Sequence, residues 1–245
     1  MSTPIVSVQN VYKIYPANSL KKKRNKFREA EIMENELDVH ALDGISCNFE
    51  KGEFTAIAGP SGSGKTTLLN LIGCLDSISK GHIYIDDSDI ATMDLKEKTI
   101  IRRDKIGFIF QSYNLFPVLT AQENVEMALQ LSGRYSKEEI RSKSYDILKE
   151  VDLDGKQDRL PSQLSGGQQQ RISIARALVK EPAVILADEP TANLDSKNSQ
   201  MILELMSELN EKHNITCLFS THDQLVMKTV RRIISLRDGK IENQG

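Results

Sequence analysis

A chain of 245 residues, 39% hydrophobic and 27% charged, suits one large α/β domain, or one domain with a sizeable subdomain. Its net charge of −2 gives no global attraction to nucleic acid or anionic lipid. No apolar run reaches membrane-spanning length, "MSTPIVSVQN" lacks the regions of a signal peptide, and Cys47, Cys74 and Cys217 form no C-x-x-C pair, so a cytosolic chain with reduced thiols is expected.

In chain order, "VSVQNVYKIY", "GISCNF" and "HIYID" read as short strands, bounded by turns at "EKGE" and "DDSD". Residues 18–40, "NSLKKKRNKFREAEIMENELDVH", turn from basic to acidic without a strand or helix period and read as a charged surface loop. From residue 112 to about 160 the pattern is helical. Thr120 with Glu123, and Ser136 with Glu139, fit capping boxes, and Ile140, Ile147, Leu148 and Val151 share one face. A helix near 198–212 carries Ile202, Leu205, Met206 and Leu209 on a stripe, and "RRIISLRDGKIE" reads as a hairpin turning at Asp238-Gly239.

Four apolar runs read as buried parallel strands ending in polar residues. "FTAIA" leads to Gly59, "GFIF" to Gln111, "VILA" to Asp188-Glu189 and "CLFS" to Thr221-His222. Ligands of open α/β sheets bind beyond the carboxyl ends of strands, so these groups are expected to meet. "GPSGSGKT", Gly59 to Thr66, matches the phosphate-loop pattern between a strand and the helix "TTLLNLIGCL". Its backbone N–H groups wrap phosphates, Lys65 neutralises the β and γ oxygens, and Thr66 offers a hydroxyl to Mg²⁺. Asp188 fits a metal-holding strand end, and Glu189 is placed to orient or deprotonate the attacking water. His222 can donate to the γ-phosphate and hold Glu189 or the water; Gln111 can reach metal or water through its amide. A second helix start, "LSGGQQQRISIARAL" from Leu164, also suits an anion. Two such sites in one ATP-sized domain call for an explanation.

Together these residues resemble the nucleotide-binding subunit of an ABC transporter over nearly the whole chain. The resemblance implies an α/β P-loop cassette with a mixed or parallel sheet core, an N-terminal antiparallel β subdomain and a helical subdomain. It makes residues 1–245 one ATP-binding domain: a core of about 1–111 and 166–245, and a helical subdomain of about 112–165. The implied cofactors are ATP and Mg²⁺. ATP contacts fall on Tyr15, as the aromatic under adenine, and on Gly59, Pro60, Ser61, Gly62, Ser63, Gly64, Lys65, Thr66 and Thr67. Mg²⁺ falls to Thr66, Gln111 and Asp188, and catalysis to Glu189, His222 and Gln111. "LSGGQ" is the family signature, and "ANLD", Ala192–Asp195, the D-loop, with Ala192 where glycine is usual.

The family pairs two cassettes head to tail, so Ser165, Gly166, Gly167 and Gln168 would serve the nucleotide of the other chain. That explains the second helix start. "IRRDKIGFIFQSYNLFPVLTAQENV" and the signature segment look closest to the LolD and MacB group, with FtsE a near relative. The expected function is ATP hydrolysis energising lipoprotein release, with macrolide or peptide efflux and FtsE-type mechanotransmission as alternatives. The expected partners are a second copy in the ATP-bound state and a permease of FtsX, MacB or LolC type, with no nucleic acid. The expected place is the cytoplasmic face of the inner membrane. A chromosome or repair ATPase would need a long coiled coil between the phosphate loop and the signature. A tandem ribosomal cassette would need two motif sets, and a small P-loop kinase has no use for LSGGQ.

Overall fold

The computed structural model describes residues 3–16 and 38–244. The charged loop expected at 18–40 therefore lies almost wholly outside the described residues. Its last part is corrected: Val39 and His40 open a strand instead of closing a loop.

The four apolar runs form β3 (Phe54–Ala58), β6 (Ile106–Phe110), β7 (Val184–Asp188) and β8 (Thr216–Thr221). They pair in parallel, β3 with β8, β8 with β7 and β7 with β6. The C-terminal hairpin is β9 (Arg232–Arg237) and β10 (Lys240–Gln244), turning at Asp238 and Gly239, both at positive φ. β9 also pairs in parallel with β3, so the hairpin extends the main sheet to the order β10-β9-β3-β8-β7-β6. A second, antiparallel sheet contains β1 (Val6–Tyr15), β2 (Val39–Phe49), β4 (Lys80–Ile85) and β5 (Ser88–Asp89), ordered β2-β1-β4-β5.

Alternation along the parallel strands builds two cores, one on each face of the main sheet. Phe54, Ala56, Ile185, Ala187, Cys217 and Phe219 point to one face, with the rings of Phe54 and Phe219 edge to face at 4.7 Å. Four helices cover that face: α3 (Ala121–Gln130), α4 (Lys137–Glu150), α5 (Gly166–Leu178) and α6 (Ser196–His213). Ile57, Val184, Leu186 and Leu218 point the other way, toward α1 (Lys65–Ile72) and the apolar side of the antiparallel sheet. Each fully buried aliphatic or aromatic side chain contributes roughly 1.5–3 kcal/mol, so these two clusters hold the sheet flat against both layers.

Both expected capping boxes form. Thr120 and Glu123 exchange bonds of 3.2 and 2.7 Å at the start of α3, and Ser136 and Glu139 of 3.2 and 2.8 Å at α4. The expected stripe of α6 is buried. Two helices add to the sequence reading: α2 (Leu95–Lys105), which has no fully buried side chain, and the short α7 (Gln224–Thr229). No helix among the described residues is long and apolar enough to cross a membrane.

Candidate active site

Parallel pairing brings the strand ends together. Ala58 lies opposite Thr221, Asp188 opposite Ser220, and Phe110 opposite Asp188. Gly59, Gln111, Glu189 and His222 each follow one of these ends, so they line one edge of the sheet, as the sequence predicts.

The phosphate loop closes on itself before α1. At Gly59 an added Cβ would lie 2.1 Å from the Leu236 carbonyl, so only glycine admits this approach. Gly64, the N-cap of α1, has φ 104 and supplies no side-chain cap. The first N–H groups of α1 are thus left to a ligand, beside the positive end of the helix dipole. Lys65 is buried at 7% exposure, and its Nζ donates to the carbonyls of Gly59 and Pro60 at 2.9 Å each. The ammonium is held inside the loop by the backbone it would share with a phosphate. The Ser63 hydroxyl is buried and has no hydrogen-bond partner among the described residues.

Thr66 Oγ1 donates to Asp188 Oδ1 at 3.0 Å, and the Ser220 hydroxyl donates to the same oxygen. Among the described residues no three His, Cys, Asp or Glu side chains cluster as a metal cage. The donor set here is instead a hydroxyl and one carboxylate, all oxygen, with the Gln111 amide on the adjacent strand end. Such a set fits Mg²⁺, which takes few protein ligands and completes its shell with water and phosphate oxygens.

Glu189 stands just past β7 at φ 46, a left-handed conformation that costs a non-glycine residue. Its N–H donates to the Ser220 carbonyl at 3.0 Å. Its carboxylate meets His222 Nδ1 at 2.6 Å through one oxygen and the Thr221 hydroxyl at 3.3 Å through the other. The neighbouring D-loop is tied in as well. Asn193 Nδ2 donates to the Gln111 carbonyl at 2.9 Å, and Thr191 Oγ1 to Asp223 at 3.3 Å.

Tyr15 sits beside the first turn of α1. Its hydroxyl donates to Asp76 at 2.7 Å and Lys13 Nζ lies 4.6 Å from its ring centre. Burial first, and then the Asp76 carboxylate, push its pKa up to about 12. The phenol is therefore a neutral, anchored ring, a form suited to stacking.

At the signature, Ser165 caps α5. Its Oγ accepts from Gln168 N at 3.4 Å, and Gln168 Oε1 accepts from Ser165 N at 3.0 Å. An accepting hydroxyl keeps its own hydrogen, so Ser165 can still donate to a phosphate. The atoms nearest a Cβ on Gly166 or Gly167 belong to Tyr113, Leu194 and Asn198, and none comes from residues 59–67. The second anion site of the chain does not converge on the first.

Sequence reasoning missed several contacts of the site: Ser220 on Asp188, Asn193 on Gln111, the Lys13–Tyr15–Asp76 triad, and Arg176, whose guanidinium bonds the backbone after Gln111. Only Ser220 carried a local signal, as the last polar residue of "CLFS". A cleft of about 870 Å³ opens elsewhere, lined by Asp104, Arg134, Lys143, Glu150, Lys180 and His213 among others. It contains none of the predicted site residues, and its charged walls largely pair with one another.

The family model for ABC transporters matches residues 42–192. The ATP-binding protein MJ0796 of Methanocaldococcus jannaschii is 49% identical over 209 residues, which is 84% of this chain and 89% of that one. A solved dimeric structure of MJ0796 with ADP and Pi superposes with a TM-score of 0.83 at 44% identity, covering 98% of this chain and 97% of that one. The lipoprotein-releasing system protein LolD 1 of Chlorobium chlorochromatii is 44% identical over 82% of this chain and 81% of its own. The macrolide export protein MacB of Syntrophobacter fumaroxidans is 45% identical over 84% of this chain, which spans only 29% of that longer protein. The chain belongs to the ABC transporter family, as an ATP-binding cassette that hydrolyses ATP.

Proposed function

We propose that this cassette energises a membrane permease of the LolD and MacB group, working as a head-to-tail pair on the cytoplasmic side of the cell membrane. The observation that carries the reading is the meeting of Lys65, Thr66, Asp188, Glu189 and His222 at one sheet edge, while the nearest neighbours of the signature glycines Gly166 and Gly167 include no atom of the loop 59–67. A site with all its hydrolytic groups and none of its signature contacts is completed by a second copy. The dimeric form of MJ0796 supports that pairing.

In this mechanism the adenine rests on Tyr15, and the loop 59–67 encloses the phosphates with its N–H groups. Lys65 exchanges the Gly59 and Pro60 carbonyls for β and γ oxygens. Thr66, Asp188 and Gln111 would hold Mg²⁺, which would supply charge neutralisation to the phosphates when bound. Glu189 accepts a proton from the water whose oxygen attacks the γ-phosphorus as ADP leaves. His222 fixes the Glu189 carboxylate through Nδ1 and, when its ring carries both hydrogens, donates from Nε2 to the γ-phosphate. Ser165 and the N-terminal amides of α5 complete the phosphate shell from the opposite chain.

Within the group we favour lipoprotein release, on the likeness to LolD 1 over most of both chains. The similar identity to MacB proteins keeps macrolide or peptide efflux as the second reading. The deciding experiment captures the permease by tagging this chain in its own membranes and reconstitutes the pair in proteoliposomes. ATP-dependent release of a lipidated protein to an acceptor establishes the first reading. ATPase stimulated by a macrolide or peptide, without such release, establishes the second.

A further inference from the structure

Arg176 lies eleven residues beyond Ser165 on α5, about 16 Å along the helix at 1.5 Å per residue. Its Nη1 donates to the Asn114 carbonyl at 2.5 Å and its Nη2 to the Tyr113 carbonyl at 2.8 Å. These two carbonyls belong to consecutive residues at positive φ, 60 and 49, immediately after Gln111-Ser112. Asparagine tolerates this region, but Tyr113 is a bulky side chain in it, so the turn carries strain at Tyr113 and persists because its surroundings hold it. A half-buried guanidinium with both ends on backbone carbonyls is a costly way to hold a loop, and burial draws its pKa below the usual arginine range. On the other side of the turn Asn193 grips the Gln111 carbonyl at 2.9 Å, and the Tyr113 hydroxyl reaches back to the Asn193 carbonyl at 3.4 Å.

We propose that Arg176 is the positioning residue of Gln111: it fixes the strained turn after Gln111 to the body of the signature helix. α5 then joins two sites in one rigid element. Its first turn serves the nucleotide of the opposite chain and its third turn sets the catalytic-edge glutamine of its own. The guanidinium reaches the two carbonyls through separate nitrogens, Nη1 and Nη2, at a fixed spacing that the single ammonium of a lysine does not reproduce. The inference rests on the role given to Gln111 in the proposed mechanism.

The test uses the full chain with four variants, Arg176→Met, Arg176→Lys, Gln111→Ala and the double Arg176→Met/Gln111→Ala. Because the chain has no tryptophan, Ser112→Trp in each background supplies a sole reporter beside Gln111. Arg176→Met is expected to lower kcat about tenfold with KM for ATP within twofold, to lower tryptophan anisotropy, and to leave binding of a fluorescent ATP analogue intact. Arg176→Lys should recover part of both losses. The double variant should be no slower than Gln111→Ala alone, since both act on one group. Multiplying losses in the double variant, or unchanged anisotropy in Arg176→Met, would overturn the proposal. If Gln111→Ala itself leaves kcat unchanged, the role of Gln111 fails instead, and the anisotropy still decides whether Arg176 holds the turn.

Discussion

His222 Nδ1 lies 2.6 Å from Glu189 Oε1, joining the ends of two adjacent parallel strands across the catalytic edge. Where the Glu189 carboxylate accepts this bond Nδ1 is the donor, and Nε2 can then donate to a phosphate only on a ring that carries both hydrogens. Thr221 engages the second Glu189 oxygen, and positive φ at Glu189 turns the carboxylate back toward β8. The position of the base is therefore set by Thr221 and His222 at the end of β8 as well as by Glu189 itself.

Replacing Glu189 with Gln removes the proton acceptor and keeps the shape. Turnover is expected to fall at least a hundredfold while ATP still binds and an ATP-bound dimer accumulates on size exclusion. His222→Ala should lower kcat by one to two orders of magnitude with little change in KM, because the carboxylate stays but is no longer aimed. Turnover near the wild-type rate in Glu189→Gln would move the base to another group.

Asp76 gives a pH-dependent prediction. Burial acts to raise its pKa, but hydrogen bonds from Lys13, Tyr15 and the Ser77 N–H, with the Lys13 charge, outweigh it and hold the carboxyl below its usual value. A depressed folded pKa contributes stability above the unfolded pKa of 3.8 that is lost as the pH falls through the folded value. Thermal melts of wild type and Asp76→Asn should differ by a constant Tm gap at pH 5–8 and converge only in acid below 3.8. A gap that closes between pH 7 and 5 would assign it to another group.

The loop after Gln111 presents apolar side chains to solvent, Phe116 at 46% and Val118 at 79% exposure, while Leu115 packs against the core. Buried Asn124 pins this loop, accepting from Phe116 N and donating to the carbonyls of Phe116, Leu119 and Thr120. A rigidly held apolar tip is a natural seat for a permease. Val118→Asp should abolish permease stimulation of the ATPase, leave basal activity unchanged, and alter stability by less than about 0.5 kcal/mol. Equal loss of basal and stimulated activity would make the tip part of the cassette's own packing.

Much of this was legible in the sequence because the signals are local. The parallel strands announce themselves as short apolar runs, and the phosphate loop, both capping boxes and the Asp238-Gly239 turn need only neighbouring residues. What escaped is of two kinds. α2 has no fully buried side chain and Ile101 packs only partly buried against the core, so apolar periodicity is weak there; its clearest local signal is the Asp94–Glu97 capping box, which is realised. The contacts of Arg176, Asn193 and Asp76 span more than sixty residues of sequence, and nothing in a single chain of letters fixes such partners. β9 was visible as half of a hairpin, yet its pairing with β3 depends on sheet order, which periodicity does not encode.

The sharing of each ATP between two chains is tested most directly by trapping mixed dimers. Lys65→Ala and Ser165→Arg are each placed in a Glu189→Gln background, differently tagged, and mixed with ATP and Mg²⁺. The two defects then fall together at one interface site, and the other site combines an intact Lys65 with an intact Ser165. Size exclusion should show an ATP-dependent mixed dimer with about one nucleotide per two chains, and neither variant alone should dimerise. Dimers that form as readily from either variant alone, or a mixture that stays monomeric while Glu189→Gln alone dimerises, would contradict the head-to-tail site.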